Sequence, residues 1–263
     1  MKKGSISSAY GDIHYKLSDI DSGPALVFIH GVGMDHLTFQ EQLASLEEHY
    51  KVLVWDLPGH GASTLENYHK RFTELSAECL NELMESLQIS EAVLVGQSLG
   101  SMVAQHFQLN YPEKVMAVVH APGIELKSHV GNWAKPLVPV FIFLMGLIPE
   151  IMFCNSFGKH RAVKKEVQDY LARSIGKIGK KLALKITADM CYDLIDSSPQ
   201  PTKVPLLMIY GEKDLGFIKS ASKAWYKKEP SSQCIEIPNA NHIANQDNPV
   251  DFNRALKAFL EGL

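Results

Sequence analysis

The chain has 263 residues, 46% of them hydrophobic and 21% charged, with a formal net charge of −3. That apolar content suits one large α/β domain, or one domain with an inserted subdomain, and needs no disulfide staples. The charge leaves no nucleic-acid footprint, and Cys79, Cys154, Cys191 and Cys234 are scattered, with no C-x-x-C pair or zinc-ligand cluster, so reduced thiols are expected.

The opening MKKGSISSAYGDIHY has two lysines but no apolar stretch behind them, so no secretory signal is expected and the cytoplasm is the default location. Residues 3–18 read as a hairpin around Tyr10-Gly11. ALVFIH (25–30) is a strand candidate, followed by the loop GVGMD and a helical pattern near 36–48. KVLVWD (51–56) is the next strand candidate, ending in the loop LPGHGAS. Apolar residues at 72, 75, 79, 80, 83, 84 and 87 have helical spacing. AVLVG (92–96) runs into Ser98, and a helix is expected over 99–110, stopped by Pro112. Strands follow at 114–121, 205–211 and 233–238. The last helix opens with Asn248 as cap and Pro249 at its first position, and its core face is Phe252, Ala255, Leu256, Phe259 and Leu260.

Strands alternating with helices imply a mostly parallel sheet covered on both faces. The alternation stops between Pro122 and about Lys203, so residues 1–122 and 204–263 read as the core and 123–203 as an insertion over the C-terminal edge of the sheet. Its apolar part, 136–153, carries Pro136, Pro139, Pro149 and Glu150, and its unbroken run is too short to span a bilayer. A buried or pocket-lining segment, not a transmembrane one, is expected. From Lys159 to Lys185 there are nine Lys/Arg and two acids, a solvated face or a landing patch for an anionic carrier or head group.

GQSLG (96–100) lies between a strand and a helix. A strained turn there can hold the Ser98 hydroxyl clear of the sheet, and Gly96 and Gly100 let helix and strand approach. A serine needs a base, and His242, after the last strand, is the best placed. Asp214, after the strand 205–210, is positioned to orient it, with Glu125 as the alternative acid. His106 and His120 read as core histidines with satisfied nitrogens, and no metal site is indicated.

Four separated motifs, FIHGVG (28–33), DLPGHGAS (56–63), GQSLG (96–100) and PLLMIYGEKD (205–214) with the later His242, resemble the α/β-hydrolase fold superfamily in its branch of cap-bearing esterases and lipases. The likeness spans the chain outside the insertion. It implies an α/β fold with a mostly parallel eight-stranded sheet and an inserted helical cap. It also implies the catalytic set Ser98, Asp214 and His242, oxyanion donors in the backbone N–H groups of Val32 and Leu99, His30 and Gly31 in support, and no cofactor. Two departures stand out: Ala240-Asn241 before His242, where relatives often have Ala-Gly, and Ser101, where many have glycine.

The implied activity is hydrolysis of a small-molecule carboxylic ester or thioester by a monomer or dimer. Serine at position 98 argues against dehalogenase and epoxide-hydrolase relatives, which use aspartate there. A thioesterase acting on acyl-carrier-protein or coenzyme A substrates, a C–C bond hydrolase, and a small-molecule receptor that keeps the triad stay open.

Overall fold

Buried strands with apolar side chains at successive positions need cover on both faces, and this sheet has it. The computed structural model describes residues 1–20, 23–66, 68–126, 131–197, 202–229 and 231–263. Its eight strands are β1 (Lys2–Ser8), β2 (Gly11–Leu17), β3 (Ala25–Ile29), β4 (Lys51–Trp55), β5 (Ala92–Gly96), β6 (Val115–His120), β7 (Leu206–Gly211) and β8 (Ser232–Ile237). Their order is β1-β2-β4-β3-β5-β6-β7-β8, antiparallel at β1-β2-β4 and parallel from β4 to β8.

Alternate residues of each strand feed two cores. Leu26, Phe28, Val93 and Val95 pack with Leu46 of α1 (Gln40–Leu46) and with Phe252 and Leu256 of α10 (Pro249–Leu260), beside the single turn α9 (Ala244–Asp247). Val27, Ile29 and Leu94 pack with α2 (Phe72–Ser86), α3 (Leu99–Asn110) and Trp225 of α8 (Gly216–Tyr226). The expected face of α10 is buried at all five positions, and Asn248 caps it by accepting from the Asp251 N–H at 3.2 Å. Helix α8 lies outside the sequence expectations, although Ile218, Ala221 and Trp225 fall on one helical face and are buried.

Between β6 and β7 the chain forms α4 (Leu137–Leu147), α5 (Glu150–Lys159), α6 (Lys165–Ile178) and α7 (Lys180–Asp196). Within the expected insertion 123–203, residues 127–130 and 198–201 lie outside the described residues. Polar contacts hold it down. Buried Asp193 of α7 accepts from Arg71 at 2.9 Å and Thr73 at 2.5 Å, at the start of α2. Tyr170 of α6 donates to Asp35 at 2.9 Å and accepts from its N–H at 3.1 Å.

Of the two expectations for 136–153, burial fails for most of α4, while pocket lining holds for part of the segment. Helix α4 buries only Val138 and leaves Leu137, Val140, Phe143, Leu144 and Leu147 exposed. Phe141, Met145, Ile148 and Phe153 do line a cavity. A helix apolar on every side cannot bury all of itself against a single layer. Among the described residues no single helix is long and apolar enough to cross a membrane; α4 and α5 reach that length only together, across a 107° bend.

Candidate active site

Strands β3 and β5 are neighbours, yet β3 continues to β4 on one side and β5 to β6 on the other. Loops leaving such a switch point diverge and open a crevice at the C-terminal edge of the sheet. The loop after β3 carries His30 to Asp35, and the turn after β5 carries Ser98. His242 and Asp214 arrive on the loops after β8 and β7.

Ser98 has φ 54° and ψ −113°, a conformation that costs a non-glycine residue energy and aims its side chain away from the sheet. The glycines explain why the turn forms. A Cβ on Gly100 would sit 2.6 Å from the Ile29 carbonyl carbon and 2.8 Å from the His30 oxygen, so α3 lies directly on β3. A Cβ on Gly31 would meet the Gln97 oxygen at 3.1 Å and the Ser98 Cβ at 3.2 Å.

His242 Nε2 lies 3.0 Å from Ser98 Oγ, and His242 Nδ1 lies 3.1 Å from each oxygen of Asp214. Asp214 Oδ1 also accepts from the Leu215 N–H at 2.7 Å. Glu125 is engaged elsewhere, by Lys228 at 2.6 Å. The carboxylate beside His242 is therefore Asp214.

Val32, Ser98 and His242 open on one cavity of about 380 Å³. Among the described residues, the backbone N–H groups of Val32 and Leu99 donate to no protein acceptor. Leu99 begins α3, where N–H groups are unpaired by helix geometry. The Val32 loop is held from behind: buried His30 bonds through Nδ1 to the Gly31 carbonyl at 2.8 Å, and its Nε2 accepts from the Leu57 N–H at 2.9 Å. Burial pushes its pKa down, which keeps this neutral tautomer. Asp56 accepts from His36 Nδ1 and from the Ala62 N–H, at 2.8 and 2.9 Å, and braces the neighbouring loop.

Both departures from the family pattern have a structural role. Ser101 Oγ bonds to His120 Nδ1 at 2.7 Å beneath the elbow. Asn241 Nδ2 reaches the His160 carbonyl at 3.3 Å, joining the His242 loop to the inserted segment. The core histidines are less satisfied than expected. His120 Nε2 and His106 Nε2 have no hydrogen-bond partner among the described residues, although His106 Nε2 is 3.4 Å from Asp193.

Sequence reasoning missed two groups. Buried Asp247 accepts from the N–H groups of Val163, Lys164 and Asn241 at 2.9–3.0 Å, tying the inserted segment to the His242 loop. Arg161 faces the cavity. Neither sits in a motif; the only signal was an acid near a histidine and a cation beside an apolar run. The basic stretch 159–185 is divided: Lys164 donates to Gln246, Lys165 to Asp169 and Lys180 to the carbonyls of Gly146 and Ile148. Lys159, Arg173, Lys177 and Lys181 face solvent.

Sheet order, elbow and cavity define an α/β domain of the hydrolase type. The chain belongs to the alpha/beta hydrolase fold family, whose profile matches residues 24–249. It is 28% identical to epoxide hydrolase 3 of Xenopus tropicalis, over 94% of this chain and 74% of that one. It is 27% identical to a pimeloyl-[acyl-carrier protein] methyl ester esterase of Vibrio vulnificus, over 94% of this chain and 98% of that one. A solved thermophilic esterase superposes with a TM-score of 0.82 at 24% identity, covering 99% of this chain and 98% of that one.

Proposed function

We propose that the chain is a serine hydrolase of carboxylic esters or thioesters. The observation that carries this reading is the unbroken relay Asp214–His242–Ser98, with bonds of 3.1 and 3.0 Å, opening on an apolar cavity. Ser98 Oγ attacks the carbonyl carbon while His242 Nε2 takes its proton. Asp214 holds the Nδ1–H tautomer and stabilises the imidazolium. The N–H groups of Val32 and Leu99 stabilise the oxyanion; losing one such donor typically costs about 2.7–4 kcal/mol. His242 returns the proton to the leaving alcohol or thiol, and a water activated by the same imidazole then releases the acid and restores Ser98. Helices α4–α7 act as a cap over residues 1–122 and 204–263, and pocket-facing Phe141, Met145 and Phe153 give the acyl group an apolar bed.

The test is a series of p-nitrophenyl esters from acetate to laurate, run beside Ser98→Ala, with fluorophosphonate labelling followed by peptide mass analysis. Turnover lost in Ser98→Ala and a label on Ser98 are expected. Equal turnover in both proteins, or a label elsewhere, overturns the assignment.

A further inference from the structure

The cavity beside Ser98 is apolar over most of its wall, yet it contains a guanidinium. Arg161 is the only Lys, Arg, Asp or Glu among its described lining residues. A guanidinium carries five N–H donors in a planar fork. Among the described residues its side chain makes one hydrogen bond, from Nη1 to the Phe157 carbonyl at 3.2 Å, and it stacks on the Phe157 ring at 3.9 Å. Within the described residues no carboxylate lies within 4.0 Å of it. Asp214 acts on it through its field, but both Asp214 oxygens already serve His242 and one also serves Leu215. Burial lowers the Arg161 pKa to about 10, which still leaves it charged at neutral pH. A half-buried cation facing an apolar cavity, with no anion beside it among the described residues, is unfavourable, and its remaining donors point to a missing partner.

Position says where that partner would lie. The Arg161 carbonyl accepts from the Ile243 N–H at 3.1 Å, and the preceding carbonyl, of His160, accepts from Asn241 at 3.3 Å. The segment carrying the guanidinium is thus stitched on both sides of His242, so the cation and the reacting serine share one chamber. A planar fork suits a carboxylate, and a single cation in an apolar wall balances one negative charge.

We propose that Arg161 binds a carboxylate on the substrate, so that the preferred ester is acid-bearing, with an apolar body and one free carboxylate. This deepens the hydrolase reading and rests on it for turnover, though not for binding. The carboxylate docks on the Nε and Nη2 edge, the body lies against the α4–α5 wall, and the ester carbonyl reaches Ser98. Arg161 takes no proton; it selects and orients.

The experiment uses monophenyl esters of succinic, glutaric, adipic and suberic acids, each beside the neutral phenyl ester of equal chain length. Wild type is expected to favour at least one acid-bearing ester over its neutral counterpart by tenfold or more in kcat/KM. Arg161→Met should lose at least thirtyfold more on that ester than on the neutral one, with Arg161→Lys recovering part of the difference. A residue that merely braced the fold would lower both equally. Preference for the neutral ester in every pair, or equal losses in Arg161→Met, overturns the proposal. Calorimetry with sodium hexanoate on Ser98→Ala is independent of turnover. Binding there that disappears in Ser98→Ala/Arg161→Met supports the carboxylate site even if no ester is cleaved, and binding of equal strength in both proteins refutes it.

Discussion

Replacing Gly100 with alanine tests the elbow directly. Gly100 does not have a positive φ, so the cost of a Cβ is steric. The added carbon would lie 2.6 Å from the Ile29 carbonyl carbon and 2.8 Å from the His30 oxygen, with the Ile29 oxygen nearer still. These are backbone atoms of a central strand and cannot rotate away. Helix α3 must retreat by roughly 1 Å, and overpacking of this kind costs about 1–3 kcal/mol. At about 2–4 °C per kcal/mol for a chain near this size, Tm should fall by several degrees. The same shift moves Ser98 and the Leu99 N–H, and about 1 Å of misplacement can cost on the order of a hundredfold in rate. Thermal unfolding and p-nitrophenyl ester kinetics would read both effects. Gly216→Ala is the control: nothing lies within 4 Å of its added Cβ, so Tm should hold or rise slightly. A Gly100→Ala protein within 1 °C and threefold of wild type, roughly the limits set by a relaxed contact, would refute the packing argument.

Asp214→Asn should lower kcat on the order of 10⁴-fold with the fold intact, whereas Glu125→Gln should leave kcat near wild type; the reverse outcome moves the acid to Glu125. Asp247→Ala leaves the Val163, Lys164 and Asn241 N–H groups without their acceptor, so a loss of about 1–3 kcal/mol in urea unfolding and a drop in kcat are expected. Acid should destabilise the protein. Burial lowers the pKa of His60 and His120 to about 3, well under the ordinary value, and among the described residues neither Nε2 has an acceptor for a second proton. Between about pH 6.5 and 3 the unfolded chain therefore binds protons that the native state refuses, and stability falls as pH drops through that window. The loss is about 2 kcal/mol per histidine at pH 5, and His120→Gln should remove one such share from the difference between unfolding at pH 7.5 and pH 5. Asp56, held at about 2, adds its own loss only at lower pH, as its carboxylate is protonated.

Much of the core was legible in the sequence because its signals are local. A strand buried on both faces must be apolar at successive positions, as ALVFI and AVLVG are, and α10 announces itself through Asn248, Pro249 and a one-sided apolar face. Ser98, Asp214 and His242 could be picked out because each follows a recognisable strand. Residues 98 and 242 meet across 144 positions of chain, and that only the sheet order accomplishes. Composition could not say which way an apolar helix faces: where 136–153 reads as buried or pocket-lining, α4 is largely exposed and lines the cavity through Phe141 and Met145. Nor could it tell a solvated arginine from Arg161. Sequence specifies side-chain chemistry and local backbone preference, and those determined the strands, the elbow and the hydroxyl, imidazole and carboxylate carried by the loops after them. Burial and partnership are properties of neighbours brought together from distant parts of the chain. The contact of His242 with Asp214 rather than Glu125, the bonds converging on Asp247 and the opening of Arg161 and Ser98 on one cavity therefore depend on the tertiary structure.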